Sequence, residues 1–448
     1  MCLRLVTLKS SSELVKALES LIDILRFRFW HSKVVLLTLV FLFLFKAQAQ
    51  ESVFVKGFET LGLSGSARAG YWESDKSLST EDDQAVGGFW LQARPAEFYG
   101  VKTYFDWRLQ GQNLSRNDDG DDDLREAYIE RSFGNFDLKI GRQITVWGRA
   151  DKANPTDNWS IRDLSLLVLD DEDQRGGLIA NQLIYNISSH RFIFIWQPEW
   201  RSPSFPDFSL PTGVTLAEGE PRHSEEQYGI KFDTSSSDWD WSLSYSRVND
   251  KNPDLKLLSA GPGGTQLEFS HLPIDVFGGD FAKTFGPYGF RGEIAYTQTS
   301  DGGGDEALTK NSFLYSVLGV ERTFFGDFNV NVQYLYRDIY DWQNPQEISD
   351  LNSRFLAQVL QVVSLQNKSE LHGYSLRLNY KMWNETLDLE LATVSWDSSY
   401  LWRPKIKYIF SDELQAWLGG EFYNGRDDSF FGRLENYSSV ATEIRYLF

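Results

Sequence analysis

The chain has 448 residues, and its 63 Asp and Glu outnumber its 44 Lys and Arg, which gives a formal net charge of −19 at pH 7. This acidic excess argues against nucleic acid, or an anionic membrane leaflet, as a partner. The single cysteine, Cys2, lies in a segment that we expect to be removed, so neither a disulfide nor thiol chemistry is expected.

The N-terminal segment has the pattern of a secretory signal. Val34–Phe45 is an apolar run, shorter than the roughly 20 residues that a transmembrane helix needs. Basic residues precede this run, and Ala47-Gln48-Ala49 follows it as a cleavage pattern. We therefore predict a signal peptide over residues 1–49, with a later start codon as an alternative because residues 1–30 are long for a leader. A short membrane anchor is the other alternative.

Apolar and polar residues alternate with period two through most of residues 50–448, which is the pattern of half-exposed β-strands. In 101–112, for example, Val101, Thr103 and Phe105 oppose Lys102 and Tyr104. The predicted strands are 58–72, 87–99, 101–112, 123–133, 135–147, 177–187, 190–198, 226–234, 238–248, 268–283, 287–299, 311–325, 327–341, 371–384, 386–396, 400–410, 413–424 and 435–448.

The connections between these strands alternate in length. Tight turns join each even strand to the next odd one, and long connections join odd strands to even ones, with an exception at 397–399. Outer-membrane barrels are built this way, whereas a soluble sandwich or propeller, the alternative, has no reason to separate its loops by length. We predict an all-β, antiparallel up-and-down transmembrane barrel over 50–448, of about 18 strands, with short periplasmic turns and long extracellular loops.

A barrel of about 18 strands leaves a lumen wide enough for water and solute. Charged side chains on the strands should face this lumen, because a charge on the lipid face costs roughly 2–4 kcal/mol at mid-depth. The alternative is that these charges only solvate and neutralise one another inside the barrel. The predicted lumen-lining residues are Lys102, Asp106, Arg108, Arg377, Lys381, Lys405 and Lys407.

The long connection 148–176 is the predicted constriction, because a loop of this length on a long strand is usually functional. Arg142 shares the outward face of its strand with Ile140 unless Gly141 marks a bulge that turns it inward. We expect an Arg/Asp constriction that selects polar or anionic solutes, and the alternative is a set of ion pairs that hold the loop to the wall. The predicted constriction residues are Arg142, Arg149, Asp151, Asp157, Arg162, Asp163 and Arg175.

Three further segments have a weaker signal. The acidic stretch 117–123 could bind a metal ion through its carboxylates or could be a solvated outer loop. It lacks the residue spacing of a defined Ca²⁺ loop. Residues 352–366 have helical spacing and predict a short helix that caps the mouth or simply packs there. His372 and Ser375 fall on opposite faces of one strand, and no hydrolase or phosphate-loop motif is present, so we expect neither an enzyme nor a cofactor. The weak metal candidates are Asp118, Asp119, Asp121, Asp122 and Asp123.

Two adjoining segments resemble a known family. Leu124-Arg125-Glu126-Ala127-Tyr128 leads through a turn into Gly141-Arg142-Gln143, and Trp147-Gly148-Arg149-Ala150-Asp151 and Asn154-Pro155-Thr156-Asp157 follow. These segments resemble the alginate-export and related porin-like outer-membrane families of Gram-negative bacteria. The resemblance implies an 18-stranded pore that is lined by charged side chains, with loops folded into or over it.

The sequence therefore predicts a Gram-negative outer-membrane channel for the diffusion of small polar or anionic solutes. One alternative is a dedicated exporter of an anionic polysaccharide, and another is a plugless surface receptor, for a siderophore for example, with a closed lumen. The expected partners are outer-membrane lipid and lipopolysaccharide, the solute, and the outer-membrane assembly machinery, which would read a last strand that ends at Phe448.

Overall fold

A computed structural model describes residues 61–74, 83–112, 121–151, 153–198, 200–205, 213–217, 222–223, 226–236, 239–261, 264–304, 306–426 and 428–448. The predicted signal peptide lies outside the described residues, as do Asp118 and Asp119, and only the backbone is described for Asp121, Asp122 and Asp123. Among the described helices, none is both long enough and apolar enough to cross a membrane.

Eighteen long strands form one closed antiparallel sheet. Each strand pairs with the next along the chain, and the last strand pairs with the first in a seam that joins Ser66–Ser74 to Ser439–Leu447. The predicted up-and-down barrel is therefore confirmed. Its strands are β1 (Leu63–Ser74), β2 (Asp83–Ala93), β3 (Val101–Gln112), β4 (Asp121–Phe133), β5 (Phe136–Gln143), β6 (Leu178–Ile187), β7 (His190–Gln197), β8 (Gln227–Ser235), β9 (Asp240–Asn249), β10 (Pro273–Phe285), β11 (Tyr288–Gln298), β12 (Phe313–Phe324), β13 (Phe328–Ile339), β14 (Glu370–Met382), β15 (Leu387–Trp396), β16 (Ser399–Ile409), β17 (Leu414–Asn424) and β18 (Ser439–Leu447).

Several predicted strand boundaries are wrong, and predicted strand 2, for example, spans Asp83–Ala93 rather than 87–99. Predicted strand 5 ends at Gln143 rather than at residue 147, because the Glu126 carboxylate accepts a hydrogen bond from the Ile144 amide (2.9 Å) and the chain leaves the wall there. Predicted strand 10 begins at Pro273, and 264–270 pairs instead with 254–261 in a hairpin of the outer loop. The acidic stretch also ends sooner, since Asp121 already belongs to β4.

The outer face of the barrel is apolar and has an aromatic belt near each end. At the end with long loops, Tyr228, Tyr245, Phe277, Tyr296 and Tyr340 form a chain of ring contacts with centroid distances of 5.1–6.4 Å. At the end with short turns, the exposed aromatic residues are Tyr99, Phe285, Phe325, Trp383 and Phe410. Such belts mark the two interfaces of a transmembrane barrel. The short turns of such barrels face the periplasm, and the long loops face outward.

The helix that was predicted over 352–366 forms as α1 (Leu351–Val363) in the loop 340–369. The Asp350 side chain caps it by accepting a hydrogen bond from the Ser353 amide (2.7 Å). Beyond the helix, the Gln366 side chain bonds both the amide and the carbonyl of Asn311 (3.0 and 2.9 Å). These bonds hold the helix-containing loop against the neighbouring loop at the extracellular mouth.

Candidate functional site

The connection between β5 and β6, residues 144–177, folds into the lumen, and we call it the inward loop. It forms two lobes that contact different parts of the wall. The first lobe, residues 147–160, is closed at its neck by Trp147 and Trp159, whose ring centroids lie 5.2 Å apart. The second lobe, residues 161–176, is closed by a short ladder that pairs Ile161 with Gly176. Each lobe therefore has its own neck.

The first lobe is anchored by an apolar cluster on the walls of β6, β7, β9, β10 and β11. Trp159 is fully buried in this cluster with Trp147, Ile195 and Val276. Gly229 makes room for it, because a Cβ there would lie 2.4 Å from the Trp159 ring. The lobe is therefore packed into the wall as tightly as a protein core.

We expect Trp159→Ala to lower the free energy of unfolding by about 3–5 kcal/mol, because it leaves a large cavity at the neck of the first lobe. The measurement is urea unfolding in lipid vesicles, followed by the electrophoretic shift between folded and unfolded barrel. Trp402→Ala is the control, because Trp402 is 43% exposed on the lipid-facing side of β16. An equal loss in both variants would contradict a buried anchor at Trp159.

The first lobe is also held by charged groups on β8, β10 and β11. The buried Glu293 carboxylate accepts hydrogen bonds from the amides of Arg149 (3.1 Å), Ala150 (3.1 Å) and Thr156 (2.7 Å) and from the Thr156 hydroxyl (2.9 Å). The Arg149 guanidinium forms ion pairs with Asp233 and Asp280 of the wall. Arg149 therefore pairs with acids of the wall, as in the alternative of ion pairs that hold the loop to the wall.

Gly148 allows the backbone to reach Glu293. Its φ is +92°, and a Cβ there would lie 2.5 Å from the Glu293 carboxylate and 2.2 Å from the Asn154 side chain. Only glycine combines this left-handed conformation with such a close approach. The Trp147-Gly148-Arg149 motif thus turns two consecutive amides, of Arg149 and Ala150, onto one carboxylate.

The second lobe lies against cations of the opposite wall. Asp173 pairs with Arg68 of β1 and lies 3.6 Å from Arg445 of β18, so it bridges the seam of the barrel. Burial opposes the Asp173 charge, but these guanidinium groups outweigh burial and hold the pKa of this carboxyl below its ordinary value. Asp173 therefore keeps its charge in mildly acidic solution, and its attachment is lost only as the pH falls through that lowered pKa.

Apolar residues of the second lobe pack between these charges. Leu167 contacts a cluster of Trp72, Val86 and Ala441, which belong to β1, β2 and β18. The lobe is thus attached on both sides of the seam by apolar contact as well as by charge. In the same stretch the Leu167 carbonyl accepts a hydrogen bond from Gln110 of β3 (3.3 Å).

The two lobes are joined by a buried ion pair. Arg175 Nη1 lies 2.6 Å from Asp157, and both side chains are at most 7% exposed. Burial would lower the pKa of the Arg175 guanidinium, but Asp157 and Glu172 outweigh it and raise this pKa above its ordinary value. The half-buried Lys251, from the outer loop after β9, donates to the Asp157 carbonyl. Breaking such a buried pair is costly, so it fixes the lobes relative to each other.

A bulge does turn an arginine inward, but the arginine is Arg125 and not Arg142. The register between β3 and β4 shifts next to Asp106, and Arg125 then donates to the Asp106 carboxylate (3.0 Å) and to the Arg175 carbonyl (3.1 Å). Arg142 pairs in unbroken register with Ala127 and Ile179 on the outward face. The prediction of Arg142 as a constriction residue is therefore wrong.

The other predicted constriction residues lie in the inward loop with mixed partners. Asp151 pairs with Arg377 of β14 (3.0 Å), and Asp163 lies 3.7 Å from Arg108 of β3. Arg162 stays within the second lobe, where it donates to the Asp171 carbonyl (3.1 Å). The structure thus brings Arg149, Asp151, Asp157, Arg162, Asp163 and Arg175 together in one loop inside the barrel.

The predicted lumen-lining residues occupy inward positions at different depths. Lys102 and Lys381 lie near the periplasmic turns, where they pair with Glu130 (3.4 Å) and Glu385 (2.8 Å). Lys405 and Lys407 lie over the Trp417 ring, at 5.2 and 5.0 Å from its centroid. Asp106 and Arg108 are buried beneath the inward loop, and Arg377 meets the tip of the first lobe.

We call the inward cations of this wall the basic arc. Acids of the same wall alternate with them, since Glu390, Glu421, Glu443 and Asp106 pair with Lys405, Arg403, Arg445 and Arg125. The basic arc runs from β14 across the seam to β4 and is covered in large part by the second lobe. Its members are Arg377, Arg403, Lys405, Lys407, Arg445, Arg68, Arg108 and Arg125. The basic arc faces the part of the wall formed by β8, β10 and β11, which we call the acidic wall because it carries Asp233, Asp280 and Glu293. The acidic wall also carries one lysine, Lys231, which lies 3.4 Å from Asp280.

Exposure separates the ion pairs of the inward loop into two kinds. The side chains of Arg175 and Asp157 are 7% and 6% exposed, so this pair is part of the packed interior. The side chains of Arg377 and Asp151 are 29% and 17% exposed, and Arg403 of β16 and its partner Asp171 are 26% and 16% exposed. Water therefore reaches the two lobe tips where they meet β14 and β16.

Apolar side chains form a cluster on the barrel wall at the extracellular side of the first lobe. Val317, Leu335, Leu371 and Trp396 form a buried cluster with Phe431 of the last loop. Partly buried residues from three loops pack on it; they are Ala150 and Ala153 of the first lobe, Leu365 of the helix-containing loop, and Phe430. Loops therefore line the route into the barrel above the first lobe.

Several residues of this site were missed by sequence reasoning. Arg403 and Glu293 have the inward parity of their predicted strands, so the alternation could have found them. Arg125 falls on the outward parity of predicted strand 4, and only the bulge brings it inward. Nothing in the sequence indicates that Asp171 and Asp173 meet strands far away along the chain.

Two comparisons of sequence bear on relatedness. A family model described as "Protein of unknown function (DUF1302)" matches residues 178–394, which is less than half of the chain. Among curated proteins, none matches this sequence. The family match covers β6 to most of β15 and leaves out the inward loop.

Solved structures with the same fold include three of Pseudomonas aeruginosa proteins. OccK8 (OprE) has a TM-score of 0.53 at 10% identity, over 86% of this chain and 97% of that chain. OccK2 (OpdF) in complex with glucuronate has 0.52 at 10%, over 86% and 97%, and OpdK with vanillate has 0.52 at 9%, over 86% and 98%. At these identities the similarity shows the fold, which is that of an outer-membrane multi-pass β-barrel.

Proposed function

We propose that this protein is an outer-membrane channel through which small polar or anionic solutes diffuse. The observation that carries the proposal is the exposure of Arg377, Asp151, Arg403 and Asp171, because these are ion pairs of the inward loop that water reaches. The passage then runs between the tips of the two lobes and along β14 to β17. The buried pairs elsewhere hold the loop to the wall.

We propose that the cations of this passage attract anions, although Asp151, Asp171, Glu390 and Glu421 pair with three of these cations. The basic arc contributes Arg377, Arg403, Lys405 and Lys407 at its edge, and a ring of side-chain charge selects ions of the opposite sign. The solved structures of similar fold include OccK2 with glucuronate and OpdK with vanillate. Both ligands are carboxylates, which supports small carboxylates as the class of solute.

The test is the reversal potential of the refolded protein in a planar bilayer under a KCl gradient. A half-exposed charge contributes about 0.2–1 kcal/mol to a passing ion, which corresponds to about 1.4- to 5-fold in selectivity. We expect Arg403→Ala to lower the preference for chloride by this factor. Arg142→Ala is the matched control and should change nothing, because Arg142 lies on the outer face.

Two alternatives predict other outcomes of the same experiment. The resemblance of the Arg125 to Asp157 segment to alginate-export proteins favours a dedicated exporter of an anionic polysaccharide, and the length of the basic arc supports it. An exporter predicts that anionic oligosaccharides block the KCl current from the periplasmic side. A plugless receptor with a closed lumen predicts no current above background, and this result would overturn the channel.

We also propose that the protein is not an enzyme. His372 Nδ1 lies 2.6 Å from the Tyr334 hydroxyl on the outer face of the barrel. Ser375 donates to Gln333 (3.0 Å) on the inner face. The separation of these two side chains by the sheet supports the proposal, because a catalytic pair needs its members within hydrogen-bond reach.

The proposed partners besides the solute are outer-membrane lipid and lipopolysaccharide, which would surround the two aromatic belts. The outer-membrane assembly machinery is a further proposed partner, through the last strand. Support comes from Phe448, whose backbone bonds Gly65 across the seam (2.9 and 3.1 Å) directly after β18.

A further inference from the structure

Two arginines flank a small residue at one depth of the wall. Arg377, Ala392 and Arg403 lie directly opposite one another on the adjacent strands β14, β15 and β16. Neighbouring strands are about 4.8 Å apart, so the two arginine Cα atoms are separated by roughly 10 Å. Ala392 is buried (7% exposed) and places only a methyl group between the two arginines, so it is the loop aspartates above it that a ligand of both arginines would have to displace.

Each of these arginines is occupied by an aspartate from a different lobe. Asp151 of the first lobe lies 3.0 Å from Arg377, and Asp171 of the second lobe accepts a hydrogen bond of 2.6 Å from Arg403. A guanidinium binds any carboxylate in the same planar manner. The two loop carboxylates therefore fill the positions that the carboxylate of a solute would take.

The two pairs differ in strength. Arg403 has a second acid, Glu421, directly across on β17, which stays in place whatever the loop does. Among the described residues, Asp151 is the one carboxylate within ion-pair distance of Arg377, and the Arg377 Nε beside it makes no aligned hydrogen bond. Asp151 is accordingly the loop carboxylate that is exchanged more readily.

We propose that Arg377 and Arg403 form a carboxylate-binding site that Asp151 and Asp171 occupy when no solute is present. A solute carboxylate enters by displacing Asp151 from Arg377 and passes on beside Arg403. This inference rests on the proposed channel function and adds the site, its ligand class and its internal competitor. The loop aspartates then set the affinity for the solute and not only the width of the passage.

The test measures how sodium glucuronate blocks the KCl current through single channels of the full-length mature protein. If Asp151 competes with glucuronate for Arg377, the apparent affinity for glucuronate is reduced to the fraction of time that Asp151 leaves Arg377 free. We expect Asp151→Asn to raise the apparent affinity for glucuronate about three- to tenfold, and Asp171→Asn to raise it less because Glu421 remains. Asp275→Asn is the matched control, an aspartate that pairs with Arg247 (2.8 Å) on the outer face.

Arg377→Gln separates binding from folding, because its KCl current reports a folded channel. We expect this variant to conduct KCl and to lose most of the block by glucuronate. An unchanged or lower affinity in Asp151→Asn, with current in both proteins, would overturn the inference and leave the channel standing. If Asp151→Asn raises the KCl conductance without changing the affinity for glucuronate, Asp151 only obstructs the passage, and the proposed carboxylate-binding site would also be overturned. No current in any protein would instead overturn the proposed function.

Discussion

Ala392→Trp is expected to obstruct the channel more than any other single substitution on the wall. Ala392 lies between Arg377 and Arg403, and an indole there would fill much of the roughly 10 Å between the flanking Cα atoms. Because conduction depends on the diameter at the narrowest point, we expect the single-channel KCl conductance to fall about fivefold or more. Ala392→Leu should give an intermediate value.

Thr393→Trp is the matched control for this prediction, because Thr393 is the next residue of β15 and faces the membrane. The same indole on the opposite side of the sheet should leave the conductance unchanged. A passage that runs elsewhere, for example along the acidic wall, would show itself as equal conductance in Ala392→Trp and Thr393→Trp.

Glu293→Ala is expected to release the first lobe from the wall. The substitution leaves three backbone amides and one hydroxyl of the lobe without their acceptor, while the Arg149 guanidinium keeps its ion pairs with Asp233 and Asp280. Removing one partner from such a buried charged network costs about 3–5 kcal/mol. We expect the free energy of unfolding in vesicles to fall by this amount and the KCl current to become larger and noisier.

Glu321→Gln is the comparison variant. Glu321 is also an inward carboxylate, paired with Arg291 (2.9 Å), but it bonds no residue of the inward loop in the described part of the chain. It should keep the stability and the quiet current of the wild type. A quiet current of unchanged size in Glu293→Ala would mean that the remaining contacts, which are the tryptophan cluster and the ion pairs of Arg149 and Asp151, are enough to hold the first lobe.

The strands of the barrel were predictable because alternation is a local signal. Each wall strand repeats apolar-out and polar-in along its own length, so the number and order of strands follow without knowledge of their partners. The same signal misled at 268–283, where 264–270 alternates equally well but belongs to a hairpin outside the wall. Alternation identifies a half-exposed strand and does not say which sheet it joins.

The site was predictable in part. The inward loop and its charged residues could be recognised from length and composition, and Asp151 and Arg377 were each singled out. Their meeting could not be predicted, because it depends on the path of a loop across the lumen. Arg142 was predicted to turn inward through a bulge at Gly141, but the extra residue lies in β4 and turns Arg125 inward instead, and such a bulge has no signature in a single sequence.

The contact of Asp173 with both Arg68 and Arg445 has a consequence for the order of assembly. Arg68 belongs to the first strand and Arg445 to the last, so these two partners come together only when the seam forms. Before that moment the second lobe has the first strand without the last, and so lacks Arg445 and Ala441 beside Arg68 and Trp72. We therefore expect the lobe to dock after the barrel closes. Asp173 then connects the first strand to the last through Arg68 and Arg445, in addition to the single strand pair that forms the seam.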